Sequence, residues 1–503
     1  MKRWHRWCCG AAVAALGPVW AQSDAPQQAS LWVEPRVGLR VTATDNARLQ
    51  AGQQQGEQTF EVTPGVRVVA NQARVKGFFD YNLSGLYRMQ DTGGDDLQHR
   101  LNTSAQINAI DNWAYVDVAG TVSQQLISAF GPVAGSSTTN ANQAQTTTYR
   151  VSPYVRGQFP FNVNYEARYN VQGTKAKSSA RGDSDTQGWS GRLSRQVGSA
   201  GLSLSADQQE VDYESGRKAE SSTVTGRLSY AWSPQWITGL IIGQETNDLL
   251  TPDNSKKTYS NYGVDLTWRP SDRTTLSAGL NDRYFGRGHN LSLSHRAARV
   301  LVQVSDVRDV STSPNASVDA TLGTVFSLFD ALYQTAIPDD VERAQFVLAL
   351  LEKNGVPADY LVSQSFLVSQ ATLQRRQQLS VLMTARRGTF TVSYARGQSS
   401  RLLNNLTLGD DFDSTSQIKT DTLSFLYAHR LTPVTSANAS YAIQRSEGDL
   451  DTQRNSQYTL TLGISTQLGR RTSGSVQVRR LHSTSGLNPY SENALVGNIL
   501  HRF

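Results

Sequence analysis

A strict two-residue alternation of apolar and polar side chains is the feature that most constrains this fold. From Phe159 to Val171 every odd position is apolar or aromatic, and polar residues such as Asn164, Glu166 and Arg168 lie between them. Because successive side chains of a β-strand point to opposite faces, the segment predicts a strand with one apolar and one polar face. The same pattern returns in further segments, which begin at Val75, Val224, Tyr262 and Tyr458.

The length and the connections of these segments distinguish a membrane barrel from a soluble sandwich. They run for about 10–14 residues; a tilted strand crosses a bilayer core in about 9–11 residues, and soluble strands average about 5–6. Short connections such as Asp111-Asn112 alternate with long polar ones such as residues 129–146. Aromatic residues lie beside the short connections, as in interfacial girdles: Trp113, Phe159, Phe161, Trp232, Trp236 and Trp268. We therefore predict an all-β protein, a transmembrane antiparallel up-and-down β-barrel in contact with outer-membrane lipid of a Gram-negative bacterium.

The two ends of the chain agree with export to that membrane. Residues 1–21 have a basic start and an apolar stretch from Cys8 to Trp20, which together predict a cleaved secretory signal peptide. Both cysteines lie in it, so we expect no disulfide, thiolate metal site or cysteine nucleophile in the mature chain. At the other end, alternation continues to Phe503. This resembles the terminal aromatic signature by which the barrel-assembly machinery recognises outer-membrane barrels.

Composition and motifs argue against other classes of protein. Only 38% of the residues are hydrophobic, and no apolar run reaches the roughly 18 residues of a transmembrane helix. Three positive charges of the formal net +6 belong to the signal peptide, which leaves too little for a nucleic-acid partner. No metalloprotease or serine-hydrolase motif occurs, and the later histidines are scattered: His99, His289, His295, His429, His482 and His501. We expect a non-enzymatic protein with no catalytic residue, metal or cofactor.

Residues 305–371 interrupt the alternation and divide the barrel into residues 22–304 and residues 372–503. Within this insert, Ile337-Pro338-Asp339-Asp340 is typical of a helix start, with proline in the first turn and carboxylates at the positive end of the dipole. Val341, Ala344, Leu348 and Leu351 follow at helical spacing, and Asn354-Gly355 and then Pro357 end the pattern. The insert is therefore predicted to contain a helix near residues 338–353.

The parity of the strands indicates which side of the membrane the insert occupies. A barrel with both ends in the periplasm has an even number of strands, and the pattern gives about 22, within a range of roughly 18–24. The count holds if residues 296–299 form a tight periplasmic turn. The insert then lies at the outer side, as an outer cap or a lumen segment. If those residues continue a strand, the insert is periplasmic.

The polar faces of the strands place several arginines towards the lumen. The pore-lining candidates are Arg88, Arg150, Arg156, Arg168, Arg192, Arg227 and Arg386, and a basic cluster beside the insert comprises Arg375, Arg376 and Arg387. Barrel interiors are generally polar, so these charges can simply pair with acids across strands. The alternative is that surplus arginine favours anionic solutes through forked guanidinium contacts.

Several segments resemble those of one known group of barrels. They are Val33-Glu34-Pro35-Arg36-Val37, Leu291-Ser292-Leu293-Ser294-His295-Arg296, Val304-Ser305-Asp306-Val307-Arg308-Asp309-Val310, the Ile337-Pro338-Asp339 helix start and Leu373-Gln374-Arg375-Arg376. In this order they resemble the outer-membrane barrels encoded with exosortase/PEP-CTERM protein-sorting and exopolysaccharide systems. The resemblance implies a non-enzymatic role in exopolysaccharide export, with an anionic polysaccharide and periplasmic export components as partners.

Two other functions remain open. One is a general or anion-selective diffusion porin, and the other is a structural or adhesive barrel that binds a partner through its insert and outer loops. A TonB-dependent transporter is disfavoured, because it needs an N-terminal plug domain before the first strand, whereas alternation here starts near Leu31.

Overall fold

In the described part of the chain, twenty-two long strands form one closed antiparallel sheet in this computed structural model. The structure describes residues 31–52, 54–93, 97–133, 141–177, 181–316, 325–334, 337, 340–353, 365–403, 409–484 and 489–503. Each long strand pairs with its neighbour in sequence, and β1 closes the ring on β24, from Arg36 opposite Arg502 to Thr44 opposite Ala494. The predicted fold class, strand number and helical insert are confirmed.

The strands that precede the insert are β1 Leu31–Thr44, β2 Glu57–Asn71, β3 Val75–Arg88, β4 Leu97–Ile110, β5 Ala114–Leu126, β6 Gln143–Phe159, β7 Val163–Ala176, β8 Ser184–Val197, β9 Ala200–Tyr213, β10 Lys218–Ser233, β11 Trp236–Asn247, β12 Lys257–Ser271, β13 Thr274–Arg283, β14 Gly286–Arg296 and β15 Val300–Ser311. The connection after β15 holds the short β16 Asn315–Ala316, helices α1 Val325–Tyr333 and α2 Asp340–Lys353, and the short β17 Phe366–Leu367. The remaining strands are β18 Thr372–Thr384, β19 Gly388–Arg401, β20 Gln417–Arg430, β21 Thr435–Glu447, β22 Arg454–Gln467, β23 Thr472–Ser483 and β24 Tyr490–Arg502.

Alternation sorts the side chains onto two faces of the barrel wall. The outer face carries aliphatic side chains that are left uncovered; Leu240 is 62% exposed and Ile242 73%. The inner face carries the polar partners, such as Arg227, which donates from Nε to Asp265 Oδ2 at 2.8 Å. An exposed apolar exterior around a closed ring of paired backbone is stable only where lipid covers it.

One turn lies where alternation predicts continuous strand. β6 ends at Phe159 and β7 begins at Val163, so the strand predicted from Phe159 to Val171 is interrupted. Phe161 and Asn162 have left-handed backbone angles, with φ of 64° and 57°. Phe161 is 79% exposed, as expected of a ring at the lipid–water interface. The aromatic residues of the girdle therefore continue the apolar alternation through the turn, and the sequence pattern does not reveal the turn.

The insert begins later in the chain than predicted. β15 continues to Ser311, seven residues into the segment assigned to the insert from residue 305. The outward position Asp306 accepts from Arg375 Nη2 at 2.7 Å and lies 3.0 Å from His289 Nε2. A charged residue on the outer face, neutralised by neighbouring strands, breaks the apolar pattern without ending the strand.

The insert leaves the barrel at the end opposite the chain termini. Ala297 N donates to Val300 O at 2.8 Å, so the residues between β14 and β15 form a tight turn at the terminal end. The connection from β15 to β18 is therefore at the far, outer end. The signal peptide of residues 1–21, the helix start at Pro338-Asp339 and the helix stop at residues 354–357 lie outside the described residues.

Helix α1 was not predicted, although its sequence carries a helical signal. Val325, Leu328, Phe329 and Leu332 recur at the spacing of one helix face, and all four are buried. Neither described helix is long and apolar enough to cross a membrane.

Candidate functional site: the occluded lumen

The two helices of the insert pack inside the barrel. Val325, Phe329, Val347 and Leu351 form one buried cluster with wall residues of β15, β18 and β20, namely Leu301, Leu382, Leu426 and Ala428. These wall residues face the lumen, because they alternate with outward residues such as Met383 (46% exposed) and Tyr427 (44%). Leu301 is the second residue of β15, next to the turn at residues 297–299. The helical hairpin, α1 and α2, therefore enters from the outer end and rests near the periplasmic end of the lumen.

The hairpin is held together by a buried ion pair and reaches across the barrel. Arg343, 4% exposed, donates from Nε to Asp330 Oδ1 at 2.8 Å and from Nη1 to Ile337 O at 3.0 Å. The buried guanidinium thus has both a charged and a neutral acceptor, which offsets its desolvation. α1 also contacts β18, and α2 contacts β3. Since β3 and β18 lie on nearly opposite sides of the ring, the hairpin spans the lumen.

The outer mouth is crossed by the end of the insert, residues 365–371, here called the mouth segment. Leu367 and Val368 are fully buried, and Val368 N donates to Pro314 O at 2.7 Å beside β15. Phe366 pairs with Leu126 at the end of β5. On the same far side, Gly182 N donates to Ser369 Oγ at 3.4 Å. The mouth segment therefore runs from β15 to the opposite wall.

A second crossing comes from the loop after β5, residues 127–133, here called the β5 loop. Asn455 Nδ2 donates to Gly131 O, and Gln457 Nε2 to Val133 O, each at 2.9 Å, so the loop is fixed to β22. A cavity of about 30 Å³ remains between the two crossings, which is room for about two water molecules. The two crossings also pack against each other in one buried cluster that contains Ala129, Phe366 and Val368.

Asp410 and Asp411 join the two crossings, and we refer to this pair as the latch. Asp410 accepts from Ser369 N of the mouth segment and from Phe412 N, each at 3.0 Å. Asp411 accepts from Ala129 N of the β5 loop at 2.7 Å. Burial raises the pKa of both carboxyl groups above the ordinary value of 3.8, because it penalises the charged form. The latch therefore combines strong acceptor bonds with a desolvation cost.

The wall of β5–β7 carries a ladder of tyrosine and arginine. The Tyr115 and Tyr154 rings stack with centroids 5.1 Å apart. Arg156 lies over Tyr115 at 4.4 Å and Arg168 over Tyr154 at 3.9 Å. Arg168 also donates from Nη1 to Asp117 Oδ2 at 2.7 Å. Cation–π contacts of this kind hold guanidinium groups against the wall.

The other predicted pore-lining arginines differ in whether their side chains have an ion-pair partner. Arg227 is paired with Asp265, and Arg88 is half-buried at the outer end of β3. Arg150 and Arg192 are exposed, on the face opposite lipid-facing residues such as Tyr149 and Leu193. Within the described ranges, neither Arg150 nor Arg192 has an ion pair. Both side chains are therefore accessible from the lumen.

Arg386 does not line the pore, and the predicted basic cluster is dispersed. Arg386 and Arg387 lie in the turn after β18, where their carbonyls accept from Arg430. Arg375 faces outward to Asp306, whereas Arg376 faces inward and donates to Gln374. Adjacent strand residues point to opposite faces, and residues 386–387 are at the other end of the strand.

The latch and the mouth segment are not indicated by the sequence pattern. The available signal is the Asp410-Asp411 pair in a loop, but acidic pairs are common in exposed loops, and nothing local shows that this one is buried. Among the residues that the structure describes, no three His, Cys, Asp or Glu side chains are grouped as a metal site.

No protein-family model matches this sequence, and no curated protein is detectably similar to it. Among solved structures, the barrel is similar to the siderophore receptor PirA from Pseudomonas aeruginosa, with 11% identity, a TM-score of 0.43, and coverage of 93% of this chain and 80% of that one. It is also similar to the FrpB iron transporter from Neisseria meningitidis (F5-1 variant), with 10% identity, a TM-score of 0.45, and coverage of 93% and 82%. Such distant likeness carries no information on what the chain binds. With a closed ring of 22 strands, an apolar exterior and a polar lumen, the chain is an outer-membrane β-barrel of a Gram-negative bacterium.

Proposed function

We propose that this barrel is a gated, non-enzymatic conduit for an anionic polymer. The proposal is carried by two features that occur together. The lumen is blocked by two separate barriers, and its wall presents the exposed side chains of Arg150 and Arg192. A permanently open diffusion pore does not need a helical hairpin across its lumen. Exposed guanidinium groups attract carboxylate or phosphate groups and repel cations.

The finer assignment is export of an exopolysaccharide together with an exosortase sorting system. Its support is the sequence resemblance alone, which covers the strand segments and the insert. Deletion of the gene in the native bacterium is then expected to retain the acidic polymer in the periplasm and leave other outer-membrane proteins unchanged. Normal secretion by the deletion strain would contradict this assignment.

Removal of the insert tests the conduit directly. Ser311 and Thr372 are register partners, so a two-residue turn can replace residues 313–370 without changing the barrel wall. The wild-type protein is expected to be closed in planar bilayers, and the deletion variant to conduct. A large steady conductance of the wild type favours the porin. A folded deletion variant that does not conduct, even when the β5 loop is also shortened, favours the structural or adhesive barrel.

Charge reversal in the deletion variant tests the selectivity. Arg150→Glu with Arg192→Glu is expected to shift the reversal potential under a salt gradient from anion towards cation selectivity. Arg195→Glu is the matched control, because Arg195 is exposed on the outer face of the same strand as Arg192. Equal shifts in both variants would contradict a role of the lumen arginines.

A further inference from the structure

A groove on the outside of the barrel crosses the seam where the ring closes. It has a volume of about 470 Å³ and lies on β22, β23, β24 and β1. Its lining is aliphatic along most of its length and polar at one end: Ala43, Leu460, Leu462, Val478 and Leu495, then Arg480 and Asn493. Small residues open it. Ala43 is one, and a Cβ added to the nearby Gly497 meets nothing within 4 Å.

Arg480 differs in its contacts from two other outward-facing arginines. Arg375 is paired with Asp306 at 2.7 Å and Arg396 with Asp421 at 3.8 Å. Arg480 is exposed between Leu460 and Asn493, and its side chain has no ion pair or hydrogen bond with any residue that the structure describes. The nearest acid in the same row, Asp45, instead accepts from Asn493 Nδ2 at 2.7 Å.

The position of Arg480 along the strand defines the lipid that it meets. β23 starts at Thr472, beside the tight turn at the terminal end, and runs outward to Ser483. Arg480 is therefore in the outer third of the wall, above Val478 and Val476, which are 51% and 58% exposed. An unpaired cation on the lipid face costs free energy that increases towards the bilayer centre. An anionic headgroup at this height removes that cost.

We propose that this groove binds a phosphorylated glycolipid of the outer leaflet. The aliphatic floor holds an acyl chain, and the Arg480 guanidinium donates two N–H groups to a phosphate of the headgroup. A guanidinium matches phosphate geometry in this bidentate manner. The proposal concerns the lipid face of the wall and does not rest on the conduit function of the lumen.

The test measures the glycolipid that stays on the intact protein. The full chain and its variants are extracted from outer membranes in mild detergent, and bound lipid is counted by native mass spectrometry. Arg480→Ala removes the headgroup contact, and Ala43→Trp fills the groove. Arg195→Ala is the control, since Arg195 faces lipid near the periplasmic end of β8. The folded state of each variant is verified by heat-modifiable migration on gels.

Arg480→Ala is expected to retain about tenfold less glycolipid than wild type or Arg195→Ala, the size of one charge-assisted contact, and Ala43→Trp is expected to retain less because its side chain fills the groove. Delipidated protein is then given either bisphosphorylated glycolipid or the same lipid after phosphatase treatment, and we expect only the first to bind. Equal retention by Arg480→Ala and wild type would overturn the proposal. Equal binding of the dephosphorylated lipid would also overturn it, because the groove would then be a simple hydrocarbon contact.

Discussion

Loss of the latch is expected to open the outer mouth without unfolding the barrel. Asp411→Ala removes the acceptor of Ala129 N, and Asp410→Ala removes that of Ser369 N. Both residues lie in a loop, whereas the wall is closed by continuous strand pairing. Asp451→Ala is the matched control, because Asp451 belongs to another loop at the same end and its side chain is 91% exposed.

The magnitude follows from the bonds that each carboxylate accepts. A hydrogen bond to a charged group contributes about 1.5–3 kcal/mol, and about 1.4 kcal/mol changes an equilibrium tenfold. Each substitution should therefore raise the ratio of open to closed mouths by roughly ten- to a hundredfold. The raised pKa of both carboxyl groups shows that their burial is costly, so the net effect should lie near the lower end.

Single-channel recordings of the variant that lacks residues 325–353 measure the mouth alone, because the hairpin barrier is then absent. The open fraction should rise in Asp410→Ala and Asp411→Ala and stay unchanged in Asp451→Ala. If the latch variants are folded and remain as closed as their parent, the bonds at the mouth do not control opening, and the reasoning is wrong.

The same latch predicts a direction for pH dependence. In the closed mouth the pKa of both carboxyl groups is above 3.8, and on opening it should return towards that value. The closed mouth therefore binds more protons than the open mouth. The stability that these protons give to the closed mouth is complete below pH 3.8 and is lost as the pH rises through the raised pKa values of the two carboxyl groups. Acidification from neutral pH should reduce the open fraction, and the Asp410→Asn/Asp411→Asn variant should lack this response.

Two further substitutions and one deletion test other parts of the structure. Arg343→Met should weaken the hairpin by about 1–3 kcal/mol, because the buried pair with Asp330 is lost; limited proteolysis should then cleave residues 325–353 faster, and unchanged cleavage would contradict the role of the pair. Phe329→Ala should cost roughly 3–5 kcal/mol of hairpin docking and raise conductance when it is combined with Asp411→Ala, which opens the mouth, whereas the melting temperature of the barrel should stay constant. Deletion of Phe503, whose N–H donates to Pro35 O at 3.0 Å across the seam, should lower the fraction of folded barrel in membranes; wild-type assembly would contradict its proposed recognition.

The barrel could be predicted from sequence because its determinants are local. Each strand carries its own alternation, so the fold class and the strand number follow from segments such as Val224–Trp232 without knowledge of their partners. The pattern fails where lipid-facing and turn residues look alike, as at Phe161, or where an outward charge is neutralised by another strand, as at Asp306.

The lumen could not be predicted in the same way, because its contacts join residues far apart in the chain. Asp411 meets Ala129 across 282 positions of sequence, and no local pattern records such a contact. The alternation of side chains along each strand indicates only that Arg150 and Arg192 face inward. Whether a lumen arginine is paired, as Arg227 is with Asp265, depends on strand register and on where the insert lies.

The wall is held by strand pairing and the barriers by other contacts, and the gating that we propose depends on this separation. Ser311 and Thr372 pair directly, so the pairing of the 22 long strands in the described part of the chain is complete without the connection between them. The hairpin near the periplasmic end and the mouth segment at the outer end both belong to that one connection. A ligand or partner that displaces either barrier must therefore overcome only side-chain packing and a few loop hydrogen bonds, whereas the strand ladder around the passage stays intact.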